Sequence, residues 1–405
     1  MRSSLLLASV LLVHGLHAQT PVTVSIAPGY ADQVWYSLQN GVVGTAPVNN
    51  WDLAFEIQGF TASVLVNTQK AGVEVVKSPF SIAGWNNVDT TGLSTWPRAH
   101  NADTSWSFGA LNQGPFADEF DLGWGNYNMI THVVAGDTIF LIHLANGSWR
   151  KLRIDGLATG TYTFTHANLD GSDELVGQIN KAAYSTKNFA YWDLETHTAV
   201  DREPANDSWD LTFVKYVAFI PQPYGVTGVL QNKGIEAARA AGVPPADADW
   251  TAAAYSAHIN TIGFDWKRFD MQTFQWVIED SLSYFVKDLG GNVWHVAFTG
   301  FGGSTSGTID FSQELVSATG LADRDRPADL HLWPNPTPDG TFTIDAGEAR
   351  ILGLEVLDAS GRVVRTHGAM SAVPFTMELG GLGAGSYTVR LLTDRGPAMA
   401  RLLRQ

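Results

Sequence analysis

Trp51-Asp52-Leu53-Ala54-Phe55 is written a second time at Trp209-Asp210-Leu211-Thr212-Phe213. In both places Leu and Phe stand two residues apart, which is the period of a strand with one apolar face. An aromatic run precedes each copy, Trp35-Tyr36-Ser37-Leu38 and Tyr191-Trp192-Asp193-Leu194, followed by a polar turn with Pro47 or Pro204. The agreement resumes downstream. Asp137-Thr138-Ile139-Phe140-Leu141-Ile142, Asn146-Gly147 and Lys151-Leu152-Arg153-Ile154 correspond to Asp280-Ser281-Leu282-Ser283-Tyr284-Phe285, Gly290-Gly291 and His295-Val296-Ala297-Phe298. Gly160-Thr161-Tyr162-Thr163-Phe164 and Gly307-Thr308-Ile309-Asp310-Phe311 close the two copies. Matched blocks in the same order imply two related domains, expected at 19–183 and 184–320.

The 405 residues suffice for two or three domains with their own cores, and 45% hydrophobic against 16% charged residues is an ordinary globular balance. Asp and Glu number 40 against 25 Lys and Arg. That acidic excess would repel phosphate backbones and argues against a nucleic-acid partner. Residues 1–18 read as a signal peptide, with Arg2 at the start, an apolar run from Leu5 to Val13, and Leu16-His17-Ala18 before the cut. The run is too short to span a bilayer, and no later segment is long and apolar enough. The absence of cysteine removes disulfides, thiol nucleophiles and thiolate metal sites.

Short alternating runs and Gly/Asn/Pro turns predict a mainly β chain, two related antiparallel β domains followed by a small C-terminal β-sandwich. Hairpins are expected at 139–154, turning at Ala145-Asn146-Gly147-Ser148, and at 282–298, turning at Gly290-Gly291. Residues 78–128, rich in Gly, Asn, Asp and Trp, read as long loops and edge strands. Ile235 to Ala241 before Gly242 predicts a short helix, and Ala248 to Ile259 a second. Residues 321–330 are a charged linker. Beyond it strands are expected at 341–344, 353–357, 363–366, 375–379 and 387–392.

Leu332-Trp333-Pro334-Asn335-Pro336, Gly340-Thr341-Phe342, Leu357-Asp358-Ala359-Ser360-Gly361-Arg362, Gly383-Ala384-Gly385-Ser386-Tyr387 and Arg401-Leu402-Leu403-Arg404 mark the tail. Over residues 331–405 it resembles the C-terminal sorting domain of type IX secretion. That resemblance implies export across the outer membrane by the type IX machinery, then release or attachment to the outer face of that membrane. Residues 22–318 resemble the HmuY-like family of secreted haem-binding β-proteins. The features are the aromatic strand before Trp51–Phe55, Val66-Asn67, the Phe140–Ile154 hairpin and Gly160–Phe164, with Tyr284-Phe285-Val286-Lys287, Gly291-Asn292 and Gly307–Phe311 in the second copy. The family holds haem with two axial histidines. The one upstream of the hairpin would fall at Asn126 or Asp270 here, and neither residue ligates haem iron.

Read for chemistry alone, the residues favour framework roles. Trp51 and Trp209 are expected as sheet anchors, and Asp52 and Asp210 as partners of backbone groups. His100, His132, His143 and His166 in the first copy, and His197, His258 and His295 in the second, show no close metal-ligand spacing. Asp118-Glu119-Phe120-Asp121 and Asp170-Gly171-Ser172-Asp173-Glu174 lack the order of a calcium loop. Gly302 to Gly307 is neither a phosphate loop nor a nucleophile elbow. The expectation is a secreted or cell-surface, non-enzymatic binding protein with no assigned catalytic residue. Its ligand would be haem or another tetrapyrrole, another small molecule, or a glycan, with contacts in 78–128 and between Trp250 and Trp276. The alternatives are an adhesive or structural surface protein and, less favoured, a hydrolase.

Overall fold

Both copies of the repeated segment form strands, Leu53–Glu56 and Leu211–Phe219, and in each the Leu and Phe are fully buried. Their strand partners are exchanged. Leu53–Glu56 pairs with Phe189–Asp193, the aromatic strand of the second copy. Leu211–Phe219 pairs with Asp32–Ser37, the aromatic strand of the first.

The computed structural model describes residues 19–318, 330–346, 351–358, 362–368, 374–393 and 396–405; the expected signal peptide and most of the linker lie outside them. The chain is mainly β, in antiparallel sheets, and divides into two units at Ala318.

Within the larger unit, one sheet runs Thr198–Val200, Phe189–Asp193, Leu53–Glu56, Val64–Val66. It packs on a larger one whose main path is Leu175–Asn180, Thr161–Asn168, Trp149–Ala158, Thr138–His143, Glu74–Ser81, Arg98–Ala99. Phe55, Phe140, Ile142, Leu152, Tyr162 and Phe164 fill the space between them. The second sandwich sets Pro223–Gln231, Leu211–Phe219, Asp32–Ser37, Gly41–Pro47 against Thr20–Ser25, Thr308–Ser317, Val293–Phe301, Leu282–Lys287, Glu236–Ala241. Its core includes Val34, Tyr36, Phe213, Tyr284, Val296 and Phe311.

These pairings redraw the domains expected at 19–183 and 184–320. The first sandwich is one continuous stretch, 53–200, inserted into the second, which is closed by the N-terminal strands of residues 20–47. A tandem repeat fixes a period but leaves open where one unit ends. The first aromatic hairpin buries its apolar face by completing the last sheet, and the second hairpin is left to complete the first sandwich.

Both expected hairpins are present, with Phe140 opposite Leu152 and Phe285 opposite His295. The helix expected over 235–241 is instead the strand Glu236–Ala241, paired along Leu282–Lys287. Alanine propensity yields here to tertiary packing: Ala237 enters the sandwich core, while Ala238 lies under Phe285, Trp250 and Tyr255. Residues 248–259 are likewise not helical; they cross that sheet as turns, bridged at Ser256 to Ala237. Between the strands Val293–Phe301 and Thr308–Ser317, residues 302–307 contain one helical turn, Gly303–Ser306.

In the second unit, His331–Trp333, Thr341–Asp345 and Phe375–Glu378 form one sheet. Val363–His367, Ile351–Leu357, Gly385–Thr393 and Gly396–Arg404 form the other. Phe342, Ile344, Val356, Val389 and Leu391 are buried between them, giving the expected small sandwich with two strands the sequence did not announce, at 331–333 and 396–404.

Candidate functional site

The aromatic hairpins are pinned to the repeated strands by the aspartates. Asp52 Oδ2 accepts the Leu194 N–H at 2.8 Å, and Asp210 Oδ2 accepts the Leu38 N–H at 2.7 Å. Asn67 and Asn232 repeat one another in the same way, donating to the Trp51 and Trp209 carbonyls. Burial raises the Asp52 carboxyl above its usual range against the opposing pull of the Lys70 ammonium, 2.8 Å away, and the Leu194 N–H. Burial also pushes Asp210 up to about 6. These carboxylates are framework ties, the backbone role expected of them.

A bend at Asp52 turns Trp51 away from the Leu53–Phe55 core face. Trp51 and Trp209 therefore stand in the joint between the two sandwiches rather than in either core. Trp209 packs with Trp35, and Trp51 meets Tyr191 edge-on at 5.1 Å. Between these rings sits the Arg202 guanidinium, 5.1 Å from Trp35, 5.7 Å from Trp51 and 5.0 Å from Tyr191. It donates to Gln33 Oε1 and the Pro47 carbonyl. Next to it Glu203 accepts from the Asn188 and Phe189 N–H groups and the Tyr191 hydroxyl. Burial pushes the Glu203 carboxyl up to about 7. The joint contains a partly open cavity of about 100 Å³.

A larger concavity of about 490 Å³ opens on the surface beside the joint. Its walls are Pro79, Trp96, Pro97 and Pro115 from the first sandwich and Phe219 from the second, with Lys77, Arg98, His100 and Gln113 as polar groups. The volume falls in the range of small-molecule sites, roughly 300–1,000 Å³. Lys77 Nζ donates to the Gln113 carbonyl at 3.0 Å, Gln113 Nε2 donates to the His100 carbonyl at 3.0 Å, and Arg98 Nε is paired with Glu74 at 2.8 Å. The His100 ring stands edge-on to Phe219 at 6.2 Å, its Nδ1 buried without a partner among the described residues. Burial lowers its pKa, so it is a neutral imidazole at pH 7.

Of the histidines singled out in the sequence, His132 is bonded to the Tyr127 hydroxyl and His143 to the Gly72 carbonyl. His295 stacks on Phe285, and His258 is exposed. Only His166 and His197 come together, stacked with centroids 5.2 Å apart and planes 24° apart. Imidazoles in face contact leave no room for a macrocycle between their nitrogens. His100 is the one imidazole lining the surface groove, and the joint cavity is smaller than the ~150 Å³ that admits benzene. The bis-histidine haem site implied by the HmuY-like resemblance therefore does not fit these residues. Asn126 lies on the exposed strand Gly125–Asn128 and Asp270 in a hairpin tip, so neither supplies the missing ligand.

The acidic knots are occupied locally. Asp121 accepts from the Ala117 and Gly123 N–H groups, Asp173 pairs with Arg150, and Glu174 accepts from Trp85 Nε1. Among the described residues no three His, Asp or Glu side chains gather as metal ligands. Sequence reasoning missed Phe219, Arg202, Glu203 and Tyr216. The signal available for the middle two was a charged pair beside Pro204 that the corresponding connection of the first copy lacks. No protein-family model matches this chain, and no curated protein matches it.

Proposed function

We propose that this is an exported, non-enzymatic binding protein whose surface groove takes a small, largely apolar ligand with an anionic end. The groove itself carries the reading: an aromatic and proline wall of about 490 Å³ with Lys77, Arg98 and a neutral His100 at its edge. The C-terminal sandwich is then the address for type IX secretion, leaving the mature chain free or on the outer face of the outer membrane.

The groove is tested with 1-anilinonaphthalene-8-sulfonate, an aromatic anion of suitable size, added to the full mature chain. Saturable fluorescence enhancement that Trp96→Ala and Lys77→Ala each reduce is expected. Enhancement untouched by both variants would locate the dye elsewhere and remove the groove from the account. Haemin is expected to give no bis-imidazole Soret band. Export is read separately: deletion of 331–405 should leave the chain in the periplasm.

A second reading, adhesion, is favoured by the hairpin Lys267–Asp270/Gln275–Ile278, which exposes Phe269, Met271 and Phe274. Immobilised glycan or host-protein arrays bound by the native chain but not by a Phe269→Ser/Phe274→Ser variant would support it over the groove.

A further inference from the structure

We infer that the partly open cavity in the joint is a second binding site, for a small uncharged carbonyl compound such as a carboxamide, whose entry widens when the two sandwiches part. The covalent topology sets up the hinge. Because 53–200 is inserted, only residues 48–52 and 201–210 connect the sandwiches, and the two connections lie side by side. Arg202 donates to the Pro47 carbonyl at 3.0 Å, and a Cβ built on Gly44 would lie 2.5 Å from Pro204 Cγ. Two adjacent crossings of this kind allow rotation of one lobe against the other.

Elsewhere the lobes are joined by polar groups and by Trp106, which packs on the cluster of Tyr216, Leu230 and Ile259. The Asp103 carboxylate accepts from the Phe219 N–H, the Thr104 carbonyl from the Ile259 N–H, and Trp106 Nε1 donates to the Gln231 carbonyl. Lys233 bonds Glu56 at 2.5 Å, and Asn188 bonds Asn232 at 2.7 Å. The polar contacts can be exchanged for water at small net cost, and Trp106 is the apolar part of the seam that opening would expose.

The lining identifies the ligand class. Trp209 and Tyr216 both line the cavity and are more than nine-tenths buried, yet Trp209 Nε1 and the Tyr216 hydroxyl have no partner among the described residues. Buried donors are ordinarily paired, so these two call for an acceptor oxygen from outside the chain. The aromatic walls of Trp35, Trp51 and Trp106 suit a flat, uncharged group. At about 100 Å³ the space admits a molecule somewhat smaller than benzene, roughly four heavy atoms.

Acetamide is the probe, titrated into the full mature chain and followed by tryptophan fluorescence and saturation-transfer NMR. Saturable binding is expected, weakened about tenfold by Tyr216→Phe, which keeps the ring and removes the donor. Trp209→Phe provides the second donor test, with circular dichroism confirming that each variant folds. The native chain has no cysteine, so Gln69→Cys with Gly225→Cys introduces one pair of thiols across the joint, to be joined by a short thiol-reactive linker with a reducible bond. A Cβ on Gly225 would lie 3.0 Å from the far end of the Gln69 side chain. Cross-linking that pair should slow acetamide exchange, and reduction of the linker should restore it. Non-saturable binding, equal affinity in Tyr216→Phe, or a crystal soaked in acetamide that shows only ordered water would overturn the site. Unchanged exchange in the cross-linked chain would overturn the hinge.

Discussion

Deleting residues 19–47 should unfold the second sandwich and spare the first. The segment inserts Val24, Ile26, Val34, Trp35, Tyr36 and Leu38 into the molecule, each at most 2% exposed. At about 1.5–3 kcal/mol for a buried apolar side chain, the six together contribute roughly 9–18 kcal/mol before chain entropy is counted. Area-based figures are upper bounds, and half of that sum is still of the order of a whole domain's stability, about 5–15 kcal/mol. Leu211–Phe219 and Thr308–Ser317 would also each lose a neighbouring strand. Hydrogen exchange read by mass spectrometry distinguishes the lobes directly. Residues 282–301 should exchange freely in the truncated chain, while 138–168 stay protected. Restoring 19–47 after residue 318 through a linker should recover protection, because Thr20 already lies opposite Gln313. Protection of 282–301 in the truncated chain, or loss of protection in 138–168, would refute the inserted-domain account.

Other outcomes follow from the same contacts. His166 is fully buried, and burial with the Arg150 charge lowers its pKa to about 4. The unfolded chain binds that proton near pH 6.5, so stability present above 6.5 is lost as pH falls toward 4, by up to about 3 kcal/mol; His166→Gln should flatten acid unfolding measured by urea titration. Glu203 has the opposite sign. With a folded pKa of about 7 against 4.5, it costs stability as pH rises through that interval. Between pH 4.5 and pH 8, Glu203→Gln should therefore gain up to about 3 kcal/mol relative to the parent. Asp52→Asn strands Lys70, which is 6% exposed and keeps only Glu195 at 3.6 Å, and should cost about 3 kcal/mol. Asp210→Asn retains an acceptor for Leu38 and should stay within about 1 kcal/mol in thermal denaturation at pH 7.

The strands were legible wherever local pattern and tertiary demand agree. The Phe140–Leu152 and Phe285–His295 hairpins and the five tail strands follow from alternation and turn residues alone. Residues 235–241 were misleading in composition: Ile235-Glu236-Ala237-Ala238-Arg239-Ala240-Ala241 has the content of a helix, but its small side chains are used to let Trp250 and Tyr255 lie on a sheet. Strand exchange between the copies left no local signature, because Asp32–Ser37 and Phe189–Asp193 are so alike that either could serve either partner. The groove was legible only as a Trp- and Pro-rich region. Its far wall, Phe219, comes from the other lobe and has no sequence relation to the rest.

Where the two copies differ is more informative about function than where they agree. Their shared residues, the Trp-Asp-Leu-x-Phe strand and its asparagine, build and tie the sheets. The connection from Leu38 to Trp51 spans 13 positions and that from Leu194 to Trp209 spans 15, and the longer one carries Arg202 and Glu203. Lys70, which neutralises Asp52, follows Asn67 by three positions, and at the same distance from Asn232 the second copy has Ile235. Charge has thus been added to one side of a pseudo-symmetric joint, in a region enclosed by aromatic rings, where Arg202 and Glu203 bond the backbone and side-chain groups around them rather than each other. An Arg202→Met/Glu203→Leu variant separates the two accounts. It removes the acceptor of the Asn188 and Phe189 N–H groups and the Tyr191 hydroxyl, and the donor to the Pro47 carbonyl. If the charges only brace the joint, the variant should be less stable than the parent yet bind acetamide and the sulfonate dye unchanged. If they set the shape of a binding cavity, acetamide binding should fall as well, at a temperature where circular dichroism shows the variant folded.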